Sequence, residues 1–172
     1  MHARNYRAVK GQAYSRKEFV KGVPASKINK FTMGDTKAKF EVEAKLLALK
    51  PAQIRHNSLE AARVAANRVL MDKLVNNYLL RVLPYPHTIL RENKMIFGAH
   101  ADRLQQGMRA SFGRPIGTAA RVKADQPIIV INVNEEHVEI AKEALKRGSA
   151  KLPIPCRIVV EKLQLQEAET VG

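Results

Sequence analysis

Arg103, Arg109 and Arg114 are spaced along residues 98–118, a stretch that follows neither a helical nor a strand period. Only Asp102 opposes them, while Met108 and Phe112 add one flexible apolar arm and one flat ring. Guanidinium forks take phosphate and an exposed ring takes an unpaired base, so this mixture of types suits folded RNA. Gly98, Gly107, Gly113, Gly117 and Pro115 interrupt any regular element, and a backbone without Cβ at Gly107, Gly113 and Gly117 can approach a surface closely. The stretch reads as a long basic loop, and a loop of that length in a compact chain is functional or disordered. The competing reading is a surface loop whose charge is incidental.

Other chemistry finds little support along the chain. His2, His56, His87, His100 and His137 are scattered, with no cysteine or carboxylate at ligand spacing, so no metal site is expected. Residues 107–113 resemble a phosphate-cradling loop only superficially, because the Gly-Lys-Ser/Thr ending is missing. Ser111 has no nucleophile-elbow pattern. Asp102 beside Arg103 is better read as a salt bridge or turn than as a general base. The single cysteine, Cys156, excludes an intramolecular disulfide and fits a reducing compartment. Lying beside Pro155 and an apolar run, it reads as a small buried hydrophobe whose thiolate is disfavoured. No catalytic residue, cofactor or small-molecule substrate is expected.

With 30 basic against 16 acidic residues the formal charge is +14, and a polyanion is the leading class of partner. The excess is uneven. Residues 1–31 carry Arg4, Arg7, Lys10, Arg16, Lys17, Lys21, Lys27 and Lys30 against Glu18 alone, with Tyr6, Tyr14 and Phe19 among them. From Asp125 onward the acids slightly outnumber the bases. Contact with the polyanion should fall to the first third and the central loop. The chain lacks an apolar run of membrane-spanning length and the apolar core of a secretory signal, so a soluble, cytoplasmic protein without a membrane partner is expected.

The remaining elements must hold the loop and the basic leader in place. Residues 1–31 have no hydrophobic period and should order only against a partner. Residues 40–46 alternate apolar with charged, as in a half-buried strand. Pro51 closes the apolar run behind it. A helix then starts with Asn57 as cap and Glu60 three residues on, lines up Leu59, Ala62, Ala66, Val69, Leu70 and Leu74, and ends at Asn76-Asn77. Residues 78–83 and 87–91 read as strands separated by the bend Pro84-Tyr85-Pro86.

After the loop, residues 119–123 should be the returning strand, and the β-branched run 128–133 a central strand covered on both faces. Asn134 caps a second helix with Glu135 and Glu136 in its first turn. Val138, Ala141 and Leu145 form its buried line, and Gly148 stops it. Residues 157–163 give a last strand and 164–172 a polar tail. The sum is one domain over residues 1–172 of α+β class: a basic extension (1–31), a body (32–163) with two helices on a mostly antiparallel sheet, the loop 98–118, and the tail.

The run Ala101-Asp102-Arg103-Leu104-Gln105-Gln106-Gly107-Met108-Arg109-Ala110-Ser111-Phe112-Gly113-Arg114-Pro115-Ile116-Gly117-Thr118-Ala119-Ala120-Arg121-Val122 resembles the signature of a ribosomal protein family. That family is the archaeal and eukaryotic large-subunit protein known as QM, or L-ten-e, the counterpart of bacterial L-sixteen. Arg4-Asn5-Tyr6-Arg7, Lys21-Gly22-Val23-Pro24 with Lys27-Ile28, Leu59-Glu60-Ala61-Ala62-Arg63 and Glu143-Ala144-Leu145-Lys146-Arg147 are similar to it at corresponding places, so the likeness runs to about Leu163.

The resemblance implies an α/β-hammerhead-like sandwich that binds large-subunit rRNA between the central protuberance and the factor-binding stalk and helps position tRNA entering the A site. Its loop would lie near the peptidyl-transferase region, carried here by Asp102, Arg103, Gln105, Gln106, Gly107, Met108, Arg109, Phe112, Gly113 and Arg114. Arg4, Tyr6, Arg7, Lys10, Arg16, Lys17, Lys21, Lys27, Lys30 and Arg121 would hold rRNA. The small rRNA of the central protuberance is a further candidate, as are neighbouring ribosomal proteins. The nearby catalytic centre is RNA, so no enzyme is implied. His100 and the acidic tail depart from the pattern, and contacts special to eukaryotic members are not carried over. The rival from another class is a free-standing RNA chaperone or RNA-associated regulator, which would share the charge and the loop but not sediment with the large subunit.

Overall fold

The computed structural model describes residues 2–13, 15–98, 108–109 and 111–163. Its elements are β1 (Thr32–Gly34), β2 (Val42–Ala48), β3 (Ala52–Arg55), α1 (His56–Leu74), β4 (Leu79–Val82), β5 (Thr88–Glu92), β6 (Arg114–Val122), β7 (Pro127–Val133), α2 (Val138–Ser149) and β8 (Cys156–Lys162). Five strands form one sheet in the order β1-β4-β7-β2-β8, and three form a second in the order β3-β6-β5. Every pairing is antiparallel. The α+β class expected from the sequence holds.

Alternation builds β2, whose Val42, Ala44, Leu46 and Ala48 are buried while Glu43 and Lys45 are half-buried between them. The β-branched run of β7 is buried at every position from Ile128 to Val133, because β7 sits mid-sheet between β4 and β2. α1 buries the line expected for it, Leu59, Ala62, Ala66, Val69, Leu70 and Leu74. α2 buries Ala141, Ala144, Leu145 and Gly148. These side chains meet Leu46, Ile54, Leu80, Ile129 and Ile131 in a continuous cluster drawn from both sheets and both helices. Each large aliphatic side chain fully buried there contributes about 1.5–3 kcal/mol.

The structure corrects several local expectations. α1 starts at His56, and its preceding residue Arg55 makes no side-chain cap. Glu60 does not reach back to Asn57, because the Arg63 guanidinium one turn on offers it a charge-assisted bidentate pair. α2 is preceded by a 3-10 turn, Glu135–His137, and Asn134 makes no side-chain cap there. Gly148 does not stop α2 but lies buried inside its last turn, facing α1. A Cβ built on it would stand 3.4 Å from the Ala62 carbonyl oxygen and 3.6 Å from the Ala66 Cβ. Strands β1 and β3, outside the sequence expectations, are too short to show a period.

The extension does not wait for a partner to find contacts. The Gln53 N–H of β3 donates to the Arg7 carbonyl at 2.8 Å, and its side-chain amide donates to the Tyr6 carbonyl at 3.0 Å. The Lys27 N–H donates to His56 Nδ1 at 2.8 Å, and Ile28 is buried in the core. Both ends of the basic leader are thus tied to the body by backbone groups, which leaves its cationic side chains outside.

Candidate nucleic-acid interface

The central loop leaves the body between β5 and β6, whose register runs from Thr88↔Ala119 to Glu92↔Arg114 with an irregularity between Leu90 and Arg91. Residues 114–118, expected within the loop, are therefore strand, and the returning strand begins at Arg114 rather than at residue 119. Pro115 lies where β6 pairs with β5 alone, beyond its pairing with β3 at residues 119–122, the edge-like position in which a strand tolerates proline.

Two glycines of the motif serve the protein's own interior rather than a foreign surface. A Cβ on Gly113 would stand 2.8 Å from the Glu92 carbonyl carbon, and one on Gly117 would stand 2.8 Å from His56 Nε2. Gly117 thus makes room for a buried imidazole. His56 accepts the Lys27 N–H through Nδ1, and burial first, then the charges of Arg55 and Lys27, holds its pKa below the usual histidine value. A neutral ring locks the leader, α1 and the loop's return strand together.

Beyond this root the apolar side chains turn outward. Phe97 is 91% exposed, Phe112 77% and Met108 76%. The Arg91 guanidinium lies 4.3 Å from the centroid of the Phe112 ring. Arg109 and Arg114 are exposed. Asp102, Arg103, Gln105, Gln106 and Gly107 lie outside the described residues.

In the leader, Arg4, Arg7, Lys10, Arg16, Lys17, Lys21, Lys27 and Lys30 are exposed, while Tyr6 and Arg121 are half-buried. Tyr6 carries the Arg55 guanidinium 5.7 Å from its ring centroid, and Arg121 donates to the Gly11 carbonyl at 2.9 Å. These two candidates hold the leader to the body. The ion pairs lie elsewhere, joining Lys45 to Glu43 and Glu161, Lys73 and Arg147 to Glu143, Arg157 to Asp125 and Lys162 to Glu135. Among the described residues none involves a base of the leader. Their charge stays available to an external polyanion.

Sequence reasoning missed one aromatic group. Phe31 stacks on Tyr85 with centroids 5.4 Å apart, and Tyr85 meets His87 at 4.6 Å. The signal lies in Pro84-Tyr85-Pro86, which reads only as a bend. Cys156 is half-buried rather than fully buried, and burial pushes its thiol pKa up. Among the described residues, no group of three or more His, Cys, Asp or Glu side chains could hold a metal ion, and no helix is long and apolar enough to cross a membrane.

Fold and surface together define a class: a basic α+β protein with an acid-paired body and a cationic, ring-bearing side suited to nucleic acid. Residues 9–159 match the family described as ribosomal protein L16p/L10e, and the chain belongs to that family. It is similar to large ribosomal subunit protein uL16 of Picrophilus torridus, 52% identical over 161 residues that span 93% of this chain and 92% of the relative. The protein of the same description from Thermoplasma acidophilum is 50% identical over the same shares, and that from Staphylothermus marinus is 50% identical over 163 residues, 94% of each chain. The chain is accordingly a structural protein of the large ribosomal subunit and not an enzyme. The resemblance drawn from the loop motif and the scattered matches holds.

Proposed function

We propose that this protein grips large-subunit rRNA with its leader and loop near the A site and the peptidyl-transferase region, and that the loop helps position incoming tRNA. The observation that carries this reading is the outward set of Phe97, Met108, Arg109, Phe112 and Arg114 on a hairpin root fixed by Gly113 and Gly117. A rigid base with an exposed cationic tip is how a scaffold presents a probe. Arg4, Arg7, Lys10, Arg16, Lys17, Lys21, Lys27 and Lys30 are assigned to rRNA phosphates, with Tyr6 and Arg121 setting the path of the leader. Asp102, Arg103, Gln105, Gln106 and Gly107 belong to the same tip by their place in the motif.

The partners on this reading are large-subunit rRNA, A-site tRNA and neighbouring ribosomal proteins, met on cytoplasmic ribosomes. Neutralising about eight phosphates gives a salt slope of about −7, with little discrimination by base. Subunits rebuilt with Arg109→Ala and Arg114→Ala should assemble but accommodate A-site tRNA poorly, by about 100-fold or more if each arginine contributes one charge-assisted hydrogen bond of about 1.5–3 kcal/mol. Normal A-site binding by those subunits removes the loop's role.

A further inference from the structure

We propose that Phe31, Tyr85 and His87 form a stacking platform for an unpaired base of the rRNA, a site separate from the loop; the inference rests on the rRNA-binding reading above.

The segment Leu83-Pro84-Tyr85-Pro86-His87 places its side chains contrary to the ordinary preference of their types. Pro84 and Pro86 are buried, while Leu83, Tyr85 and His87 are exposed, Tyr85 by 47%. An aromatic ring kept only for packing would take the buried positions, since Phe, Tyr and Trp carry the largest apolar surface. Here the small prolines fill the interior and the rings are delivered to solvent.

The rings are also fixed before any ligand arrives. Each proline locks its own φ. The His87 N–H donates to the Tyr85 carbonyl at 3.0 Å, a γ-turn across Pro86 that brings the two rings to 4.6 Å. The Leu83 N–H donates to the Ile128 carbonyl of β7 at 3.0 Å, and the Val82 N–H donates to the Phe31 carbonyl at 2.8 Å, so both sides of the ladder hang from the five-stranded sheet. Phe31 packs on the core cluster beneath, and its ring lies 26° from the plane of Tyr85. Tyr85 therefore stacks on Phe31 above the core, and the exposed His87, tilted 49° from the Tyr85 plane, stands at the outer end of the group.

A preset ring face favours a flat π-ligand because little conformational freedom is lost on binding. In a chain of charge +14 that belongs to a ribosomal family, the flat group attached to an anionic backbone is a nucleotide base. Every base has such a face, so the platform accepts any unpaired nucleotide and selects for single-stranded or bulged RNA.

The test uses the full chain and large subunits stripped of this protein, titrated over a range of salt concentrations. Tyr85→Leu and His87→Ala should each weaken binding by about 10-fold with the salt slope unchanged, since stacking releases no counterions. Tyr85→Phe should bind as the parent does. Arg4→Ala with Arg7→Ala should instead lower the slope. His87 is exposed, so its replacement decides the matter even if Tyr85→Leu loosens the fold. Should both ring variants bind within twofold of the parent, or bind weakly while every unpaired rRNA nucleotide protected by the parent from chemical probing stays protected, as for rings that serve a protein partner, the platform is overturned. That outcome leaves rRNA binding standing. A parent chain that fails to bind the stripped subunits at all overturns the rRNA reading and the platform with it.

Discussion

Val75 closes α1 with φ at +58° and ψ at −90°, a backbone that a β-branched residue adopts only under strain. It is also exposed, so its side chain contributes little packing. Val75→Gly should raise stability by about 1 kcal/mol, seen as a higher urea midpoint with an unchanged m-value. An unchanged or lower midpoint contradicts the strain. His56 gives the molecule a pH dependence of known sign. Its unfolded imidazole titrates near 6.5 while the folded one is held lower, so the unfolded chain binds more protons as the pH falls. Stability is fully present above about 6.5 and declines as the pH falls below it; in His56→Gln that decline should shrink. Equal slopes in the two proteins would contradict the assignment. Neither feature is legible in the sequence, because the strain at Val75 and the fit of Gly117 around His56 depend on residues far apart in the chain.

At the scale of elements, periodicity carried most of the fold. The buried line of α1 and the run of β7, apolar but for Asn132, were readable, since a short apolar run and a 3.6-residue stripe each have one economical way to be covered. Capping signals were misleading where a nearer partner existed, as Arg63 was for Glu60. Gly148 looked like a stop because glycine ends many helices, yet here it is a contact point between α1 and α2. A methyl group added there would meet its neighbours at ordinary van der Waals distance, so Gly148→Ala should be neutral or stabilising by up to about 1 kcal/mol. Gly148→Leu should destabilise by about 1–3 kcal/mol, as overpacking does. Thermal unfolding of the pair checks this, and a strongly destabilised alanine variant would contradict it. The strand start at Arg114 was hidden by Gly113, Pro115 and Gly117, which read as loop residues until their neighbours are known.

Across the whole molecule, charge is sorted by face. Acids are spent on the bases of β2, α1, α2 and β8, while the leader and the loop root keep exposed cations and rings. That sorting was legible in outline, because the basic excess of residues 1–31 is a matter of composition. The anchoring of the leader was not, since it uses the backbone groups of Arg7 and Lys27, held by Gln53 and His56, and a single buried side chain, Ile28, none of which composition reports. The central claim is that the loop tip, and not the acid-bearing α2, faces the rRNA of the peptidyl-transferase region. Directed hydroxyl-radical probing measures this in rebuilt large subunits, from an iron chelate carried by Met108→Cys or by Glu139→Cys, each in a Cys156→Ser background. Cleavage of that rRNA is expected from position 108, and little from position 139. Cleavage there from position 139 alone would contradict it.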